Sequence, residues 1–172
     1  LITLIGNYIF TFLGKVFFKI SITDILYTFV IGKSNSAKEF QINKNEKNIL
    51  LGIGGSGPTK RIPANIFLNV IEGISKKTKC KFFLATGKKS DEQLIMNEIL
   101  QSQFGKLCIP LDNLSIRETL PIIKNCDLSI CNDSSFSHLS AALGVKTITL
   151  MADTPLIYGS YSTRMFPILP DG

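Results

Sequence analysis

From Asn48 onward, short apolar runs alternate with longer stretches of helical period, and this alternation constrains the fold more than any other feature. Each run is rich in β-branched or aromatic residues, as is typical of strands buried on both faces. We predict five strands, at residues 49–53, 81–85, 107–111, 127–131 and 146–151. Right-handed βα crossovers then give an α/β fold, a doubly wound five-stranded parallel sheet with strand order 3-2-1-4-5.

Four helices are expected between the strands, and the sequence carries signals for where each one starts. Proline suits the first turn of a helix, and a Ser with an acidic or amide residue three positions later forms a capping box. The expected start signals are Pro63, the capping boxes Ser90/Gln93 and Ser115/Glu118, and Asp133 as the cap of the last helix.

Two segments precede the α/β domain, which we assign to residues 49–172. Residues 32–48 are polar and dominated by Ser, Asn and Lys, so they are interpreted as a linker. Residues 1–31 form an apolar segment, predicted to be helical, that charged residues interrupt, and this disfavours a transmembrane helix. We expect this segment either to lie in a membrane interface or to dock on a domain outside the chain.

The first residue is Leu1 rather than methionine, so we expect the chain to be a fragment or a processed form. Residues 1–89 contain 14 lysines and arginines against 4 acidic residues, which predicts an anionic partner on the basic side. Nucleic acid is disfavoured, since the lysine cluster at 76–81 has no interleaved aromatic residues.

The four cysteines form no CxxC pair, and the chain contains a single histidine, so no metal site is expected. Free thiols in the core are the better interpretation of the cysteines. Their positions are Cys80, Cys108, Cys126 and Cys131.

In a doubly wound sheet the ligand crevice opens at the carboxyl ends of the strands where the winding reverses. Here that point lies between the first and the fourth strand. The loops that follow these strands, residues 54–61 and 132–138, are chemically the most unusual loops of the chain. Topology and composition therefore indicate the same crevice.

The first loop formally matches GxGxxG, the fingerprint of dinucleotide-binding domains, but its context disagrees. Pro58 and Pro63 prevent a helix from starting at the glycines, and the second strand lacks the following acidic residue that would hold the ribose of NAD. No phosphate-binding P-loop is present either. A turn at Gly54, Gly55 and Ser56 with Lys60 and Arg61 at its edge remains, either as a ligand contact or as a plain surface turn.

The second loop places Asp133, Ser134, Ser135 and His138 at the start of a helix of small residues. Backbone N–H groups, two hydroxyls and the helix dipole are suited to binding a pyrophosphate there. A Ser-His-Asp hydrolase is rejected because no GxSxG elbow is present and all three residues lie within six positions. A purely structural role, with capping residues and a packed histidine, is the alternative.

The stretch from about residue 49 to 155 resembles the C-terminal, donor-binding half of glycosyltransferase family 9, the heptosyltransferases of lipopolysaccharide core synthesis. The matching features are a Gly/Ser loop, the run 60–63, Gly87 with acidic residues nearby, and the block 132–145, which ends in Ala-Leu-Gly-Val. Ser135 stands where the family has glycine, and Ile62 where it has an aromatic residue. The resemblance implies a Rossmann-like domain of the GT-B fold.

The resemblance also implies glycosyl transfer from a nucleotide-diphosphate sugar to a lipopolysaccharide or other surface-glycan acceptor, without a metal or another cofactor. Lys60 and the 133–138 loop would contact the diphosphate, and Asp91 or Glu92 would hold the ribose. The general base would belong to an N-terminal domain, so no catalytic residue is assigned. The resemblance implies a cytoplasmic protein that lies peripherally on the inner face of the cytoplasmic membrane.

Two alternatives to a transferase remain open from the residues, a dinucleotide-dependent oxidoreductase domain and a degenerate, non-catalytic binding module. Residues 1–33 are also faintly similar to the tail of family 2 glycosyltransferases that act on polyprenyl-phosphate sugars. That similarity rests on Gly6-Asn7 and Ile22-Thr23-Asp24.

Overall fold

Strands and helices alternate throughout residues 42–170, the part of the chain that the structure, a computed structural model, describes. The strands are β1 (Lys47–Gly52), β2 (Cys80–Ala85), β3 (Cys108–Pro110), β4 (Leu128–Asn132), β5 (Thr147–Leu150) and β6 (Met165–Ile168). The helices are α1 (Ala64–Ser75), α2 (Ser90–Gln101), α3 (Ile116–Lys124), α4 (Ser135–Ala142) and α5 (Ile157–Ser160). Short 3-10 turns span Pro58–Lys60 and Gly105–Leu107.

All of these strands pair in parallel in one sheet of order β3-β2-β1-β4-β5-β6. β1 lies at the centre, where Leu51 pairs with Leu84 of β2 on one side and with Ile130 of β4 on the other. The predicted α/β class and the order of the first five strands are confirmed. The winding reverses between β1 and β4, so a crevice is expected at their carboxyl ends.

The sheet has a sixth strand, so the prediction of five strands is wrong by one. β6 adds to the edge beyond β5, with Pro167 paired opposite Thr149. Prolines at 167 and 170 weaken the strand signal, because proline cannot donate to a ladder and is tolerated only where one side of the strand is unpaired. An edge strand meets that condition, and this explains both the missed prediction and the observed pairing.

The first strand begins at Lys47, two residues earlier than predicted and inside the segment 32–48 that was interpreted as a linker. The N–H of Lys47 donates to the carbonyl of Lys79 at 2.9 Å, and Asp127 accepts both the ammonium of Lys47 and the N–H of Asn48. These partners are distant in sequence, so local composition does not reveal them. The ends of the other four predicted strands differ from the observed ones by at most one residue.

One predicted capping box is confirmed. Ser115 is the N-cap of α3, its hydroxyl accepts from the N–H of Glu118, and the Glu118 carboxylate accepts from the N–H of Ser115 at 2.8 Å. The predicted proline signal lies next to α1, which begins one residue after Pro63. Local signals thus fix the starts of these two helices.

The capping box predicted at Ser90 is wrong. Lys89 is the N-cap of α2, and Ser90 is already its first helical residue. Gln93 does not reach back to the N-cap, because its side-chain amide donates instead to the carbonyl of Gly87 at 2.8 Å. The Gln93 side chain therefore bonds to the loop after β2 and is not available for the capping box that the local motif predicted.

Apolar side chains cover both faces of the sheet. Alternate residues of β1 and β2 point to opposite faces, as the period of a strand requires. One face packs on α1 and α2 through Leu51, Phe82, Leu84, Phe67, Ile71 and Ile99. The other packs on α3 and α4 through Leu50, Phe83, Cys131, Ile122, Ile123 and Leu143.

The four cysteines are free and buried, as predicted. Burial raises the pKa of the Cys108 thiol to about 11 and that of Cys131 to about 12, so both remain protonated at neutral pH. They act as small apolar side chains of the core.

The predictions for residues 1–31 and for most of the polar segment lie outside the described residues. Within residues 42–170, no helix combines the length and the apolar character needed to cross a bilayer.

Candidate functional site

A cavity of about 620 Å³ opens at the carboxyl ends of β1 and β4, where the winding of the sheet reverses. The loops after β1, β2, β4 and β5 and the starts of α3 and α4 form its walls. This is the place that topology predicts for a ligand. Predicted site residues in its lining are Gly54, Gly55, Ser56, Lys60, Glu92, Asp133, Ser134, Ser135 and His138.

A partly buried ion pair joins the two predicted loops. The ammonium of Lys60 lies 2.8 Å from Oδ2 of Asp133, and the hydroxyl of Thr154 donates to the same oxygen. The Asp133 side chain is 5% exposed and that of Lys60 is 22% exposed. Burial raises the pKa of the Asp133 carboxyl, but the bonds from Lys60 and Thr154 outweigh burial and hold that pKa below its usual range. Asp133 is therefore an anion at neutral pH.

Asp133 was predicted to cap the last helix, and this prediction is wrong. Ser134 occupies the N-cap of α4 with an extended backbone, while Lys60 and Thr154 hold the Asp133 carboxylate. The first turn of α4 nevertheless faces the cavity with Ser134 and Ser135. Since the first N–H groups of a helix have no partner within the helix, this end can bind an anion.

Two buried hydroxyls in the cavity wall are unsatisfied. Among the residues that the structure describes, seven buried side-chain N or O atoms have no hydrogen-bond partner, and two of them, Oγ of Ser134 and Oγ1 of Thr86, belong to residues that line the cavity. A buried hydroxyl without a partner costs free energy, so such groups are unusual in a core. Here both belong to the lining of a cavity at a predicted ligand position, where a polar ligand would satisfy them.

Glu92 binds the backbone of the glycine loop. Its side chain is buried, and Oε1 accepts from the N–H of Gly55 at 2.9 Å. A Cβ at Gly54 would lie 3.1 Å from the same oxygen, and a Cβ at Gly55 would lie 2.8 Å from the carbonyl oxygen of Lys60. Glycine is therefore required at position 55 because the backbone passes too close for a side chain. The contact that Glu92 makes in this structure is with the loop itself.

Arg61 and Asp91 do not line the cavity, although both were predicted as donor-binding residues. The guanidinium of Arg61 pairs with the Asp91 carboxylate, and its Nε donates to the carbonyl of Gly55 at 3.2 Å. The charge of Arg61 is thus offset by a neighbouring carboxylate, and its side chain braces the outside of the glycine loop. Lys60 is the cation of this loop that reaches the cavity.

His138 lies one turn into α4 and lines the cavity. Its Nδ1 is 2.8 Å from the hydroxyl of Tyr161, and the two rings stack with centroids 5.6 Å apart. Burial lowers the pKa of His138, and the charge of Lys60 lowers it further, while the Asp133 carboxylate opposes them. The net shift is downward, so the imidazole is neutral at neutral pH.

Sequence reasoning missed the contribution of the loop after β5. Thr154 and Tyr158 line the cavity, and Tyr161 contacts His138. The topological rule gives only the two strands that flank the reversal, but β5 pairs with β4, so its loop ends at the same edge of the sheet. The polar pair Asp153-Thr154 directly after a buried strand was the signal that could have indicated this loop.

Comparison with known proteins agrees with this architecture. The model of glycosyltransferase family 9 (heptosyltransferase) matches residues 22–165. Lipopolysaccharide heptosyltransferase 1 of Campylobacter coli is 28% identical over 138 residues, which cover 79% of this chain and 40% of that protein. Lipooligosaccharide heptosyltransferase 2 of Campylobacter jejuni serotype O:2 is 36% identical over 118 residues, 66% of this chain and 36% of that protein.

Solved structures show the same fold. E. coli ADP-heptose LPS heptosyltransferase II superposes with a TM-score of 0.66 at 19% identity, covering 77% of this chain and 41% of that one. E. coli heptosyltransferase WaaC with ADP gives a TM-score of 0.68 at 17% identity, covering 87% and 43%. The chain thus spans about two fifths of the length of these relatives. Because the family model matches most of its residues, the chain belongs to glycosyltransferase family 9.

Proposed function

We propose that this chain is the donor-binding part of a heptosyltransferase and that its cavity binds the diphosphate of a nucleotide-sugar. One observation carries the proposal. The Lys60 ammonium and the amino end of α4 line the same cavity, at the reversal point of the sheet. A cation beside unpaired backbone N–H groups is an arrangement suited to phosphate oxygens.

Both cationic and acidic side chains line the cavity, and the acidic ones are already hydrogen-bonded within the protein. Lys60 and Lys89 line it together with two carboxylates, Asp133 and Glu92. Each carboxylate already accepts a hydrogen bond within the protein, Asp133 from Lys60 and Glu92 from the N–H of Gly55. An incoming diphosphate would share Lys60 with Asp133, while the amino end of α4 and the Thr86 and Ser134 hydroxyls supply further donors.

The proposed reaction makes use of the same groups. The bond between the anomeric carbon and the diphosphate oxygen breaks, and the acceptor hydroxyl oxygen bonds to that carbon. The acceptor proton passes to a general base, for which we assign no residue of this chain. The electron pair leaves with the nucleoside diphosphate, and Lys60 with the helix amino end stabilises the negative charge that grows there.

We further propose an ADP-linked heptose as donor and a lipopolysaccharide core oligosaccharide as acceptor. The similar E. coli proteins are an ADP-heptose LPS heptosyltransferase and a heptosyltransferase solved with ADP, and the similar Campylobacter proteins are lipopolysaccharide or lipooligosaccharide heptosyltransferases. A lipid-anchored acceptor and a water-soluble donor meet at a membrane surface. We therefore propose that the reaction takes place at the inner face of the cytoplasmic membrane.

Calorimetric titration of the full chain with ADP, UDP, GDP and NAD tests this proposal. We expect ADP to bind and Lys60→Ala to weaken that binding about 30-fold, because the change removes a partly buried cation from the phosphate site. Lys146→Ala is the matched control. Lys146 is exposed and lies directly before β5, at the amino ends of the strands and therefore away from the cavity.

Two results would contradict the proposal. One is binding of NAD without binding of ADP, which would indicate the oxidoreductase alternative. The other is a chain that is folded by circular dichroism but binds none of the three nucleoside diphosphates, as expected of a degenerate module. Equal losses in Lys60→Ala and Lys146→Ala would show that general positive charge, not this cavity, attracts the nucleotide.

A further inference from the structure

The rings of His138 and Tyr161 form a pair beside the cavity. The reaction steps proposed above give this pair no role. Nδ1 of His138, on α4, lies 2.8 Å from the hydroxyl of Tyr161, the C-cap residue that follows α5. The rings stack with centroids 5.6 Å apart and planes 19° apart. His138 lines the cavity, whereas Tyr161 stands behind it and does not. Tyr161 therefore contacts the cavity wall through the imidazole of His138.

A neutral imidazole has one nitrogen that donates and one that accepts, and a partner on one nitrogen decides the role of the other. Burial and the nearby Lys60 keep His138 neutral at neutral pH, against the opposing charge of Asp133. A tyrosine hydroxyl that donates to Nδ1 leaves the ring proton on Nε2. Because His138 lines the cavity, an N–H on Nε2 would be a donor available to a ligand there, and a diphosphate presents only acceptors.

We propose that Tyr161 is a positioning residue that sets the tautomer and the orientation of His138, so that Nε2 donates to an anionic oxygen in the cavity. The inference rests on the proposed function for the nature of that ligand, a nucleoside diphosphate. The contact between Tyr161 and His138 is present in the structure without a ligand. In this proposal the hydroxyl donates to Nδ1 and so leaves the ring proton on Nε2, and the ring stacking holds the plane of the imidazole.

The tautomer can be measured without any ligand. The sequence contains one histidine, so a long-range proton–nitrogen NMR spectrum of the full, nitrogen-15-labelled chain shows a single imidazole. At pH 8 we expect the proton on Nε2 alone in the wild type and a mixture of both tautomers in Tyr161→Phe. Phenylalanine keeps the stacked ring and removes only the hydroxyl. Ser160→Ala is the control, since that hydroxyl bonds to the Leu156 carbonyl.

A double-mutant cycle with ADP then tests the route from Tyr161 to the ligand. We expect Tyr161→Phe to weaken ADP binding about two- to tenfold, the range for one lost hydrogen bond. In a His138→Ala background the same substitution should change the affinity no further. Ser160→Ala should leave the affinity unchanged in both backgrounds.

The outcomes separate this inference from the proposed function. A wild-type ring protonated on Nδ1, or an unchanged ring spectrum in Tyr161→Phe, would overturn the positioning role. A Tyr161→Phe effect that persists without His138 would also overturn it. If the tautomer is set as stated but ADP does not bind, the proposed donor is wrong, while control of the ring by Tyr161 stands.

Discussion

His138 is the residue whose charge state is most sensitive to conditions near neutral pH. It is the one histidine of the sequence, and burial holds its pKa in the folded protein below the ordinary value of 6.5. As pH falls below 6.5 the unfolded chain therefore binds a proton before the folded one does. Its contribution to stability is complete above pH 6.5 and is lost as pH falls toward the folded pKa.

We expect the free energy of unfolding to fall between pH 7 and pH 5, with a slope of at most about 1.4 kcal/mol per pH unit, the limit for one proton. His138→Gln should remove this slope. Urea unfolding at a series of pH values measures it. A slope that survives in the variant, or a wild type that becomes more stable on acidification, would contradict the assignment.

Prediction at the residue scale succeeded where a residue's surroundings are local or follow from topology. The sequence placed Lys60, Asp133 and His138 at one crevice, because parallel strands end at the same edge. The sequence did not indicate which side chains form hydrogen bonds with Asp133 and His138. Thr154 on Asp133 and Tyr161 on His138 come from a loop about twenty residues further along, whose approach depends on packing in three dimensions.

At the scale of the element, two glycines occupy environments that predict opposite responses to the same substitution. Gly73 lies inside α1, where an added Cβ meets nothing within 4 Å. Gly73→Ala should stabilise the protein by about 0.5 to 1 kcal/mol, since alanine loses less backbone entropy in a helix. Gly105 opens a 3-10 turn against the Leu100 carbonyl, which a Cβ would strike.

Gly105→Ala should therefore destabilise the protein by about 1 to 3 kcal/mol, because backbone must move to admit the methyl group. Each variant is the control for the other, and the midpoint of urea unfolding at a constant slope is the measurement. A destabilised Gly73→Ala, or a neutral Gly105→Ala, would show that the packing around these turns differs from the one described.

Elements were predicted well where their signals are local. α3 begins at its Ser115 capping box as expected, and α4 ends before Gly144, whose φ of +82° is a conformation that favours glycine. β6 was missed because its proline, Pro167, is compatible with a strand only at a sheet edge. Whether a strand lies at an edge depends on the assembled sheet, so it cannot be predicted from the composition of the segment alone.

At the scale of the whole molecule, β2 couples the two apolar layers. Phe82 and Phe83 are adjacent and fully buried, but they belong to opposite faces of the sheet. A single strand thus anchors the packing of α1 and α2 on one side and of α3 and α4 on the other. Two layers that share their strands cannot separate without breaking the sheet, so they should unfold together.

We expect Phe82→Leu and Phe83→Leu each to destabilise the protein by about 1 to 2 kcal/mol in one cooperative transition, because both leave space in a close-packed core. Far-UV circular dichroism and the His138 ring signal, which report different parts of the domain, should give the same midpoint. Phe166→Leu is the control, since Phe166 on the edge strand β6 is half exposed and should cost less than about 0.5 kcal/mol. Separate midpoints in either core variant would mean that the layers fold independently. The cavity at the carboxyl ends of β1 and β4 has walls from both layers, so it would then be complete only when the second layer has formed.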